Sequence, residues 1–300
     1  GAIYIYGEHT IVNGSHFRDC EAIWGGDIFV FGNGATIENS AFDESNADYG
    51  GAIYLTSWGS VIKDSNITDC EASFSGGAIY VAGGGTTISG SNFEGCLAKG
   101  TNQNYGGGAI YVRDAGDSAL ISNCSFEDNN AKAGGAIYAK NSLVVKNSTF
   151  DLNHAASTSG GALYINNNTE IYDSNFTSNK AGSTGGAVYV KNNLALSNST
   201  FKDNNATEGG AAYSGKAAIV QNSTFALNHA ESGSGGALNL LNGSEIYNSS
   251  FTDNHALSNG GGVFVRNYGN LTILSNSTFT NNSGASGGGI YYGGGLIENS

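Results

Sequence analysis

The chain has 300 residues, a formal charge of −13, 47 glycines and no proline. Its acids are spread singly and its 12 basic residues form no patch, which argues against nucleic acid as a partner. No apolar run approaches the roughly 18 residues of a membrane span, and no signal peptide is visible.

Length alone would suggest two domains, but a repeat overrides that. Gly-Gly pairs, mostly followed by Ala, start at 25, 50, 76, 107, 134, 160, 185, 209, 235, 260 and 287. Phe17, Phe42, Ile67, Phe93, Phe126, Phe150, Phe176, Phe201, Phe225, Phe251 and Phe279 keep the same phase. A period of 20–50 residues signals a solenoid or array. Here it is about 26 residues, filled with short β-branched and aromatic runs that Gly, Asn and Ser interrupt. The expectation is an all-β, right-handed parallel β-helix of about eleven coils, with three short strands per coil, occupying residues 1–300 as one solenoid. The chain opens inside a repeat at Gly1-Ala2 and stops just before an expected Phe, so it reads as an internal piece of a longer protein.

In chain order, the first four coils are irregular. Cys20, Cys70 and Cys96 stand three residues after the Phe position, and Cys124 two residues before it. Cys70 and Cys96 lie one coil apart, within disulfide reach, but buried thiols acting as small apolar residues are the simpler reading. The 31-residue interval from Gly76 to Gly107 carries extra residues at 99–104, expected to form an outward loop. From Gly134 the pattern is regular. Gly134-Gly135 turns the chain, Ala136–Ala139 and Leu143–Val145 form two strands, Lys146-Asn147 turns a corner, and Ser148-Thr149-Phe150 begins the third strand.

Side chains alternate across a strand. Ile53, Ile79, Ile110, Ile137, Leu163 and Val188, and the residues two later, are assigned to the core; the intervening Ala-Tyr-Lys pattern is assigned outward. That gives an outward aromatic stripe: Tyr54, Tyr80, Tyr111, Tyr138, Tyr164, Tyr189 and Tyr213. The Phe ladder Phe93, Phe126, Phe150, Phe176, Phe201, Phe225, Phe251 and Phe279 goes inside, with aliphatics such as Ile121 and Val145 five residues earlier. Three residues after Phe come Asn129, Asn153, Asn179, Asn204, Asn228, Asn254 and Asn282. Amides repeated at the inter-strand spacing of about 4.8 Å pair with their copies, which makes burying them tolerable.

Fourteen N-x-[ST] sequons occur, among them Asn66, Asn147, Asn198, Asn222, Asn248 and Asn276, the candidate glycosylation sites, and also Asn242 and Asn270. Corner chemistry alone would place Asn and Ser there. His229 and His255 follow ladder asparagines on adjacent coils; two imidazoles near 5 Å could share a metal, but no third ligand is visible, and they read as solvated turn histidines. Neither metal ligands nor a cofactor motif is assigned.

The repeated GGA[ILV], as in Gly50-Gly51-Ala52-Ile53, with FxxN, as in Phe201-Lys202-Asp203-Asn204, resembles the polymorphic outer-membrane proteins of chlamydiae. It is also similar to adhesin-like surface proteins of methanogenic archaea and to other pectin-lyase-like repeat proteins. The resemblance implies a right-handed β-helix, an extracellular or cell-surface location and an adhesive or structural role. In the first four coils FxxN becomes FxxC, FxxS, IxxC and FxxC, and the barrel that anchors the chlamydial proteins is absent from these residues.

The function expected is an extracellular stalk, coat or filament that contacts copies of itself, end to end or laterally, or glycans and proteins of neighbouring surfaces. A carbohydrate-binding module is the alternative, and a polysaccharide lyase or hydrolase the less favoured one. Glycoside hydrolysis needs two carboxylates about 5–9.5 Å apart. The outward face of the first strand offers acids only at Asp27 and, just past the strand, Asp114, while Asp69, Asp128, Asp203 and Asp253 recur as turn residues. No catalytic residue is therefore assigned.

Overall fold

The computed structural model describes residues 1–102, 104–113, 118–241, 243–266 and 273–300. Among them every strand pairs in parallel with its copies one coil before and after, and the chain winds as a right-handed solenoid. The strands stack into four sheets of 12, 12, 11 and 10, here A to D in chain order. One coil comprises Ile137–Ala139 in A, Leu143–Lys146 in B, Thr149–Asp151 in C and His154–Ala155 in D. Sheet D corrects the expected three strands per coil. Most of its later strands are two residues long, too short to show an alternation in sequence.

Three tight corners join these strands. Between B and C sits Asn147 with φ 48°, and between C and D Leu152 with φ 55°. Asn and Asp recur at both, because their short polar side chains tolerate the left-handed region; Asp69, Asp128, Asp203 and Asp253 are such residues. The third corner needs both glycines, for different reasons. Gly134 has φ 57°, whereas a Cβ on Gly135 would lie 2.1 Å from the Gly161 carbonyl oxygen of the next coil.

Behind this pair the expected orientation fails at one position. Ala52, Ala78, Ala109 and Ala136 are fully buried in the main core, not outward. The backbone amides of Ala136 and Ile137 both donate to the Ala162 carbonyl, at 3.0 and 2.9 Å. This local irregularity accompanies two consecutive side chains that belong to the same core.

The core otherwise follows the ladders. Phe93 to Phe251 are at most 1% exposed, with successive ring centroids 4.6–5.1 Å apart. Burying each ring contributes about 1.5–3 kcal/mol, and stacking adds about 0.5–1.5. Phe279, in the last complete Phe coil, is only partly buried.

Candidate functional site

Asn129, Asn153, Asn179, Asn204, Asn228 and Asn254 are fully buried. Each Nδ2 donates twice. For Asn153 the acceptors are Asn179 Oδ1 and the Phe126 carbonyl, both at 3.0 Å. Its Oδ1 accepts from the side chain and the backbone N–H of Asn129, at 3.0 and 3.2 Å. Every polar valence of the buried amide is thus met, as burial demands. Asn282 ends the run and is partly exposed. Cys70 and Cys96 take the same place as free thiols, directed at the Phe42 and Ile67 carbonyls at 3.8 and 3.7 Å. Burial pushes the Cys96 thiol up to about 12 and Cys124 to about 11, so both stay protonated and unreactive.

A second polar ladder was not anticipated. The serine two before Phe receives the backbone N–H of its copy one coil earlier, as in Ser148 N to Ser174 Oγ and Ser174 N to Ser199 Oγ, at 3.2 and 3.1 Å. Its signal was present in Ser-x-Phe, but serine is common at any corner.

Asp27 is fully buried inside the helix, which corrects its outward assignment. It replaces the inward Ala, and Ser45 replaces the ladder Asn opposite it; Ser45 Oγ donates to Asp27 Oδ1 at 2.8 Å. Oδ2 has no partner. Burial raises the carboxyl to about 6, against hydrogen bonds from Cys20 and Ser45 that lower it.

The tyrosine stripe runs outside sheet A as a continuous stack with Tyr4 and Phe29, centroids 4.6–5.4 Å apart. It is not uniformly at the surface. Tyr80, Tyr111 and Tyr138 are 7%, 3% and 1% exposed and form a second hydrophobic cluster with Ala82 and Ala133. The long interval contributes to this cover: Tyr111 Oη donates to the Asn104 carbonyl at 3.2 Å, and Tyr105 leans on Phe74 with ring centroids 5.4 Å apart. Tyr54, Tyr164, Tyr189 and Tyr213 are half-buried. Because the rings lie face to face, the stripe offers mainly edges and hydroxyls. Where the cover ends, Tyr164, Tyr189 and Tyr213 floor an open groove of about 360 Å³, walled by Thr158, Ser159, Ser183, Thr184 and Glu208. Glu208 Oε2 accepts from Asn239 Nδ2 at 3.2 Å, and the Ser159 and Thr184 hydroxyls bond at 2.8 Å.

The candidate acceptor asparagines Asn66, Asn147, Asn198, Asn222, Asn248 and Asn276 are all exposed. All but Asn66 occupy the left-handed B–C corner, which accounts for their Asn without any glycan. Asn242, Asn270, Asp114 and Gln103 of the long interval lie outside the described residues. Among the described residues no three His, Cys, Asp or Glu side chains group as a metal site, and no helix is long and apolar enough to cross a membrane.

A family model described as the right handed beta helix region matches residues 1–169 and 77–251. One described as a Chlamydia polymorphic membrane protein repeat matches residues 248–266, the coil holding Phe251, Asn254 and Gly260. No curated protein and no solved structure matches the chain. The chain belongs to the right-handed β-helix family.

Proposed function

We propose that this right-handed β-helix is a cell-surface stalk or adhesin segment, working outside the cell and doing no chemistry of its own. The observation that carries the reading is the continuous parallel stacking of similar coils from one end of the described residues to the other. Core residues are fixed by the ladders, while outward residues change from coil to coil without disturbing them. The repeat of the chlamydial surface proteins at 248–266 supports the location. Antibodies against the chain should label intact cells of its source, and external protease should abolish the signal. Labelling that appears only after lysis would reject the surface assignment, and turnover of a polysaccharide by the purified chain would reject the non-enzymatic one.

A second reading, glycan binding, is favoured by the groove over Tyr164, Tyr189 and Tyr213. The hydroxyls of Thr158, Ser159, Ser183 and Thr184 line it, and one carboxylate, Glu208, which accepts from Asn239 through Oε2, keeps further acceptor capacity. Neutral oligosaccharides fit that chemistry better than uronates, which Glu208 repels. Titration with chito- and cello-tetraose, against a galacturonate tetramer, tests it. Saturable binding of a neutral sugar that Glu208→Ala weakens would support this reading, and absence of saturation at millimolar sugar would reject it.

A further inference from the structure

The residue after each ladder asparagine points out of sheet D and forms its own row. Toward the C-terminal end this row reads Lys180, Asn205, His229 and His255. His229 and His255 are direct register partners on adjacent coils, with ring centroids 4.8 Å apart and ring planes at 82°. They lie on strands rather than in turns. The row ends at Ser283, whose Oγ is 2.8 Å from His255 Nδ1. Before the pair stands Asn205, register partner of His229, whose Oδ1 is buried without a hydrogen-bond partner.

We propose that His229 and His255 form a bidentate, open site for a late first-row divalent cation: Cu²⁺, Ni²⁺ or Zn²⁺. Imidazole nitrogen suits these ions, whereas Mg²⁺ and Ca²⁺ want oxygen. When His255 donates its Nδ1–H to the Ser283 hydroxyl, the lone pair is left on Nε2 and the ring is held in place, as an outer partner does for metal-ligating histidines. His229 is exposed, so a rotation about its side-chain bonds can bring its nitrogen to the same ion. A neutral imidazole is the form that ligates. Because the backbone already holds the two residues one coil apart, the second bond is gained without ordering a loop. Water completes the shell.

Calorimetric titration of the purified chain with CuSO₄ or NiCl₂ near pH 7.5 tests the site. The expected result is one equivalent of micromolar binding, weakened at least tenfold by His229→Ala and by His255→Ala, and unchanged by His154→Ala three coils away. His255→Gln, which keeps a polar group beside Ser283, should lose the binding as the alanine does. Far-UV circular dichroism confirms that each variant folds. The Cu²⁺ electron paramagnetic resonance spectrum should carry coupling to two equatorial nitrogens, falling to one in either single variant. Equal affinity and stoichiometry in the His229→Ala/His255→Ala double variant would overturn the proposal, as would a one-nitrogen spectrum from the unmodified chain.

Discussion

Leu152 and Leu227 stand at the C–D corner with φ 55° and 59°, and they are 51% and 49% exposed. A left-handed conformation costs a leucine roughly 1–2 kcal/mol, and the exposed side chain recovers little by burial. Leu152→Asn should therefore stabilise the fold by about 0.5–1 kcal/mol, read as a higher urea midpoint at unchanged slope; a lower midpoint would refute the strain argument. Asp27 gives a pH signature of unusual sign. Its carboxyl is raised from 3.8 to about 6, so between those values the native state holds a proton that the unfolded chain releases. Its contribution is least unfavourable below about pH 4 and worsens as pH rises through about 6. Asp43 acts oppositely: its hydrogen bond from Thr68 comes first among the causes that hold it below the ordinary range, so its contribution is lost on acidification. The quantity to measure is thus the stability difference between Asp27→Ala and the parent chain. It should favour the variant more at pH 7.5 than at pH 4, and a pH-independent difference would contradict the buried-acid account.

At the scale of the ladders, Asn153→Ala removes more than one contact. Asn129 loses an acceptor for its side-chain and backbone N–H groups, and the Phe126 carbonyl loses a donor. Buried groups left unpaired cost about 1–3 kcal/mol each, so a loss of roughly 3–5 kcal/mol is expected. Asn153→Cys should cost less, because Cys70 and Cys96 already occupy this position buried, with their sulfurs at the preceding coil's carbonyls. Equal losses in chemical denaturation would deny the thiol that role. These ladders were legible because Phe and Asn each hold one phase and one side of the chain. Three features were not. A two-residue strand such as His154–Ala155 has no period to detect. The inward Ala contradicts simple alternation, since its neighbour Ile137 joins the same core. The cover on Tyr111 and Tyr138 depends on a long interval whose path sequence does not specify. The groove over Tyr164 to Tyr213 becomes distinguishable from the rest of the stripe only once that cover is located.

Over the whole molecule, each described strand is hydrogen-bonded in its sheet only to its copies in the flanking coils, in all four sheets. Stability is then close to a sum of coil terms and nearest-neighbour terms. The rod, about eleven coils rising about 4.8 Å each, extends about 55 Å with no contact spanning its length. Phe176→Ala removes a ring that is fully buried and stacked on both sides, on Phe150 and Phe201 at 4.7 and 4.6 Å. The expected cost is about 3–5 kcal/mol. In a globular domain that loss would be shared by every residue that unfolds globally. In this architecture it weakens two interfaces near the middle, and the coils on either side retain their other neighbours. Hydrogen exchange should accordingly show lost protection centred on the coils of Phe150, Phe176 and Phe201, with the Phe93 and Phe251 coils changed far less. Uniform loss from end to end would mean that the coils fold as one indivisible unit, and the nearest-neighbour description would have to be abandoned.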